Sequence, residues 1–216
     1  MLGVYNYMAA GVALTGIVAF ATAATAASNP AVAQLLYASP LKWVIMLAPL
    51  AFIFLIGFGA HKMSVGGAQA AFWAFAAIMG VSLSSIFLVF TGQSIAQVFF
   101  VTAAAFAGLS AWGYMTKRDL SGWGSFLVMG VIGIIIAAIV NIFLQSSALQ
   151  FAISAIGVLV FAGLTAYDTQ RIKDEYLVVR HDAAVAAKAA IFGALSLYLN
   201  FVNLFTSLLS LFGDRE

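Results

Sequence analysis

Asp168 is the one acidic residue inside an apolar run of this chain, in Gly163-Leu164-Thr165-Ala166-Tyr167-Asp168-Thr169-Gln170-Arg171. An ionisable group within lipid is costly, so it marks a gate, a proton site or a cation ligand by default. The plainer reading is an interfacial acid that pairs with Arg171 or Lys173. A second set of polar residues lies further on. Gly193, Ser196, Asn200, Asn203 and Ser207 are spaced by 3, 4, 3 and 4, which puts them on one helical face. A polar stripe on an otherwise apolar helix faces protein or water rather than lipid. It serves helix packing through small and amide side chains, or it lines a pathway. Either way the last helix belongs at the centre of a bundle. Asn141 is a lone amide, read as packing glue. His61 and Lys62 form a basic pair at a helix end, read as an interfacial anchor; alternatively Lys62 reaches the Asp168 carboxylate and latches a pore.

Other chemistries lack their residues. The chain contains no cysteine, which removes disulfides, thiol nucleophiles and thiolate metal sites. A retinal-type Schiff base needs a lysine deep in the last helix, and Lys188 precedes it. A zinc hydrolase needs several His or acidic ligands, and the two His stand in breaks between runs. An intramembrane serine protease needs a base beside its serine, and no run contains a His. The chain is therefore expected not to be an enzyme and to carry no resident cofactor. Nine basic residues, scattered, make no nucleic-acid surface.

The elements that must position these residues are membrane spans. Hydrophobic residues make up 64% of the 216 and charged ones 7%, against about 25% charged in a soluble domain. With a mean hydropathy of +1.10, the natural solvent of this surface is lipid. A spanning helix needs about 20 apolar residues. Seven such runs are predicted, at 5–27, 41–60, 68–91, 95–115, 123–144, 149–171 and 189–212, in a single transmembrane domain over 1–216. Each is apolar all round, as in helices buried in lipid or bundle, and none shows the short alternation of a membrane barrel. The first run has no Lys or Arg before it and is long, so it reads as a span and not as a cleaved signal. The fold class is thus an all-α integral membrane bundle of seven transmembrane helices with the seventh central. Internal repeats are too weak for a pseudo-symmetric transporter.

Basic residues set the orientation. One family of loops holds Lys62, Lys117, Arg118, Arg171, Lys173, Arg180 and Lys188, and the other only Lys42. The N-terminus is expected inside and, with seven spans, the C-terminal tail Gly213-Asp214-Arg215-Glu216 outside. These boundaries leave a geometric tension. Asp168 falls about 6 Å from the end of its helix and Asn200 about 16 Å into the next, at 1.5 Å per residue.

The run from Phe161 to Lys173 resembles the signature of the transmembrane Bax inhibitor motif family. So does Ala194-Leu195-Ser196-Leu197-Tyr198-Leu199-Asn200-Phe201-Val202-Asn203-Leu204-Phe205. Gly80-Val81-Ser82-Leu83-Ser84-Ser85-Ile86-Phe87, with Thr116-Lys117-Arg118-Asp119-Leu120, is similar to the bacterial branch. The resemblance implies a seven-helix bundle with a central last helix, in the bacterial inner (plasma) membrane. It also implies a pH-sensitive calcium or other cation leak with roles in ion homeostasis and stress protection. In calcium-leak members an acid in helix 6 and an acid in helix 7 share protons, and a basic residue of helix 2 latches onto them. Asp168 matches the first acid and Lys62 the latch. Asn200 stands where the second acid is expected, with Arg171, Ser196 and Asn203 beside the pathway. The metal ligands of that reading are Asp168 and Asn200, with calcium as the transported ion. One carboxylate with a neutral amide makes a weaker calcium site than two, and it lacks the repulsion that makes an acid pair titrate as a unit. Because some bacterial relatives are associated with a membrane-bound protease, the alternative is a non-conducting protein that modulates such a partner.

Overall fold

Helix α1 runs over Leu2–Ser28 without a charged residue, and six further long helices follow it. They are α2 (Leu41–Gly59), α3 (Val65–Leu83), α4 (Gly92–Met115), α5 (Trp123–Leu144), α6 (Ser147–Val179) and α7 (Ala183–Phe212). This computed structural model describes residues 1–215. The side chain of His61, read above as an anchor, and Glu216 of the tail lie outside the described residues. Among the described residues there is no sheet, only an isolated antiparallel bridge between Phe90 and Arg215. All seven long helices are long and apolar enough to cross a membrane.

The predicted boundaries hold within a few residues for the first, second, fourth and fifth helices, whereas the third, predicted to run to residue 91, ends as α-helix at Leu83 and tightens into a 3₁₀ stretch over Ser84–Leu88. They fail around the charged break. α6 continues eight residues past Arg171 to Val179, and α7 begins at Ala183, six residues earlier than predicted. Lys173, Asp174 and Glu175, read as loop because of their charge, are three positions of a helix that leaves the apolar layer still wound. At 33 residues, α6 is about 50 Å long against a hydrocarbon core of about 30 Å. Asp182 starts α7, its carboxylate accepting from the amides of Ala184 and Val185 at 2.9 and 3.0 Å, as an N-cap does.

The chain divides into two units of interleaved segments. One comprises residues 2–91 with 182–195 and 215. In it α1 packs on α3: Thr15 donates to the Ala76 carbonyl at 2.8 Å, and Gln69 to the Tyr7 hydroxyl at 2.5 Å. Gly80 allows the approach, since a Cβ there would lie 2.7 Å from Val18 Cβ. α2 contains Pro49, which has no N–H to offer the carbonyl four residues back. That carbonyl belongs to Ile45, and the Ser82 hydroxyl of α3 donates to it instead. A backbone acceptor that lipid could not satisfy is thereby satisfied by a neighbouring helix.

The other unit comprises residues 92–181 and 196–214. Its core joins Leu127 of α5 with Val160, Phe161 and Leu164 of α6 and Leu204 of α7. Phe99 and Phe106 of α4 meet Phe201 edge to face, with ring centroids 5.6 Å apart in both pairs. The α5–α6 turn closes through Asn141. Its side chain accepts from the Ser146 amide at 2.9 Å and donates to Gln150 at 3.2 Å. The expected packing amide is thus a turn fastener. Burial separates the spans: α7 is the most buried and α5 the least. No residue from Ile191 to Ser210 is exposed, whereas Phe126, Ile136 and Phe143 of α5 are open to lipid.

Candidate functional site

Asp168 and Asn200 meet. The Asn200 side-chain amide donates to Asp168 Oδ2 at 2.8 Å, and both residues are buried, at 6% and 4% exposure. One turn further along α6, Arg171 places a guanidinium nitrogen 2.9 Å from Asp168 Oδ1. The carboxylate therefore has a donor on each oxygen, one neutral and buried, the other cationic and half exposed. Of the two bases read from the sequence as partners of Asp168, Arg171 is the one that pairs with it, while Lys173 donates to the Tyr114 carbonyl at 2.9 Å. The extension of α6 and α7 sets the pair deeper along both helices than the predicted boundaries placed it.

Arg171 is itself held on three sides. It donates to the Ser196 hydroxyl at 3.3 Å, and its guanidinium lies over the Tyr167 ring, 5.8 Å from the centroid. Beyond it opens a cavity of about 420 Å³, lined by Tyr167, Gln170, Arg171, Asp174 and Glu175. Arg171 stands between this acid-flanked mouth and the Asp168 carboxylate. Gly124 makes room here, since a Cβ at that position would sit 2.6 Å from the Tyr167 hydroxyl.

The polar stripe of α7 divides. Ser196 and Asn200 face Arg171 and Asp168. Asn203 turns back to the Leu199 carbonyl of its own helix at 2.8 Å. Ser207 packs on Gly157, where a Cβ would be 2.6 Å from its hydroxyl. Lys62, at the end of the short helical turn Ala60–Lys62, belongs to the unit of residues 2–91. Within the unit of residues 92–181 and 196–214, the partners of the carboxylate are Asn200 and Arg171.

Sequence reasoning passed over Gln170. Its carbonyl oxygen accepts from the Leu120 amide at 2.8 Å, and its amide donates to the Arg118 carbonyl at 2.9 Å. It clamps the 116–122 loop onto α6 two residues from Asp168. Ser110 and Thr169 share a buried hydrogen bond of 2.8 Å between α4 and α6. Gly113 of α4 lies against the backbone of Ala166, where a Cβ would meet the carbonyl oxygen. These contacts fix the height of Asp168 between its neighbours. In the loop, Asp119 accepts from the Ser121 amide at 2.8 Å, and its bonds to Ser121 hold its carboxyl below the usual range.

Comparison with known proteins places the chain in a family. The family described as "Inhibitor of apoptosis-promoting Bax1" matches residues 1–216. A Caulobacter vibrioides protein is 50% identical over 225 residues, covering 100% of this chain and 88% of the relative. A Rickettsia prowazekii protein, RP147, is 45% identical over 218 residues, with 100% and 89% coverage. The inner membrane protein YbhL of Escherichia coli is 44% identical over 219 residues, with 100% and 92% coverage. With seven membrane-spanning helices and a family match over its whole length, the chain belongs to the Bax inhibitor family of integral membrane proteins.

Proposed function

We propose that this protein is a passive cation leak of the bacterial inner membrane, with calcium as its principal ion and Asp168 as its gate. One observation carries the reading: a buried carboxylate, bonded to Asn200 at 2.8 Å, is covered by a half-exposed Arg171 at 2.9 Å. An acid in the apolar layer has a cost that packing alone does not require. The cavity flanked by Asp174 and Glu175 is then the mouth that gathers cations. Arg171 is the bolt, held by Tyr167 and Ser196. When it swings into the cavity, Asp168 is left as a single-charge oxygen ligand, with waters and neutral oxygens completing the six to eight that calcium takes. Protons compete for the same carboxylate, which makes the leak pH-sensitive through Asp168. Lys62 serves as a second latch, and the N-terminus lies on the cytoplasmic side.

The test is calcium flux into liposomes that contain only this protein. Asp168→Asn should lower flux about tenfold, the scale of one charge lost from a divalent site. Arg171→Gln should raise it. Lys62→Ala should raise flux in the wild-type background and be nearly silent with Asp168→Ala, as coupled residues behave in a double-mutant cycle. Wild-type protein without flux, copurifying with a membrane protease, would favour the non-conducting reading instead.

A further inference from the structure

The unit of residues 2–91 contains a slot of about 340 Å³ that the reading above does not use. Its volume is in the range of small-ligand sites, about 300–1,000 Å³. Two interruptions of regular α-helix border it. Leu36 and Tyr37 belong to a π-helical stretch, Gln34–Ala38, and Ser85 and Leu88 to a 3₁₀ stretch, Ser84–Leu88. Irregular backbone at the level of a span's end is tolerated where it lines a cavity, and single π turns recur at functional positions. The first turns of α2 complete the wall.

The slot has an apolar body and one charge. Leu36, Ile45, Met46 and Leu88 line it. The hydroxyls nearby are engaged: Ser82 with the Ile45 carbonyl, and Tyr37 with Ser84 at 2.8 Å. The free polar group is the Lys42 ammonium, 5.5 Å from the centroid of the Trp43 ring. Residues 1–118 contain no acid, and among the described residues Lys42 has no acidic partner. Trp43, Met46, Leu88 and Val89 are each between 43% and 49% exposed, so the slot opens sideways to the lipid. A Lys with a Trp at the end of a span is the pairing found at the headgroup level.

We propose that the slot binds one anionic glycerophospholipid from the bilayer, with its phosphate on Lys42 and an acyl chain against Leu36, Ile45, Met46 and Leu88. The uncompensated lysine selects an anion. The lateral opening and apolar wall select a ligand that arrives through the membrane and brings its own hydrocarbon. This binding is independent of any leak.

The experiment is native mass spectrometry of the full chain released from a neutral detergent. Phosphatidylglycerol and phosphatidylcholine of identical chains are titrated in turn. Wild type should retain one phosphatidylglycerol in preference to phosphatidylcholine. Lys42→Gln should weaken phosphatidylglycerol retention about fivefold, the scale of one basic residue at an anionic surface. It should leave phosphatidylcholine unchanged. Ser85→Phe, at an exposed position, fills the slot and should reduce retention of both lipids. Lys117→Gln should alter neither. Equal retention of the two lipids by wild type would overturn the assignment, as would wild-type retention in Lys42→Gln or Ser85→Phe. Displacement of the bound lipid by millimolar inorganic phosphate would reassign the slot to a free anion.

Discussion

The two donors on Asp168 differ in what can move them. Arg171 is half exposed and faces a cavity, whereas Asn200 is buried on the most buried helix. Removing the amide and supplying a second carboxylate tests whether the two positions work as a pair. Asn200→Asp is nearly isosteric, and at a contact of 2.8 Å two acids take up protons as a coupled unit. The variant should bind calcium more tightly near neutral pH by calorimetry, and its flux should change over a steeper pH range than wild type. A wild-type pH profile in the variant would leave Asn200 as a helix-packing contact. The meeting of Asp168 with Asn200 was legible from the family resemblance, and the pairing with a nearby base was legible too, though residue types alone left Arg171 and Lys173 open and the fold sends Lys173 to the Tyr114 carbonyl instead. Gln170 was not legible, because an amide that bonds loop backbone leaves no pattern of residue types. Asp119 offers a surface contrast. Its carboxyl is held low by Ser121, so the loop order it confers is present at neutral pH. That order should disappear only as pH falls through the lowered value, which amide exchange in the 116–122 loop would detect.

At the scale of elements, glycines decide how closely helices approach. Gly113→Ala forces a Cβ into the Ala166 backbone, and backbone cannot yield as a side chain does. The cost should be about 1–3 kcal/mol, read as a clear drop in thermal unfolding temperature in detergent. Gly108→Ala in the same helix meets nothing within 4 Å and should be neutral or slightly stabilising. At the α5–α6 turn, Gln145 adopts a left-handed conformation at φ 49°. Gln145→Gly should relieve that strain and stabilise by about 0.5–1 kcal/mol, measured by the same unfolding assay. The sequence marked this turn through Gln145, Ser146 and Ser147, and it marked the first five spans by hydropathy. It hid the end of α6, since charge on a helix outside lipid looks the same as charge in a loop. It hid the start of α7 likewise, where Asp182 read as one more loop charge and not as a cap.

For the whole molecule, the seven spans and the buried last helix follow from composition and from the polar face of that helix, without any tertiary information. Sidedness rests on seven basic residues in and beside one family of breaks against Lys42 and the tail's Arg215 on the other side. Because the chain has no cysteine, each introduced one is a unique label. Cysteines placed beside Lys62, Lys117 and Arg180 should all react with an impermeant maleimide only after the membrane is opened from the cytoplasmic side. Labelling beside Lys117 from outside would reverse the orientation.

The ion pair between Asp168 and Arg171 also bears on how the protein sits in an electric field. Its two charges are 2.9 Å apart on one helix, so they travel together. A membrane potential does work only on net displaced charge, about 2.3 kcal/mol per elementary charge for each 100 mV. Displacement of the pair as a body, carried on α6, therefore exchanges almost no work with the potential. Only parting the pair would do so, and then over a small fraction of the membrane thickness. In planar bilayers the leak should accordingly keep nearly the same open probability when the voltage is reversed. A conductance that followed voltage steeply would place its moving charge somewhere other than this pair.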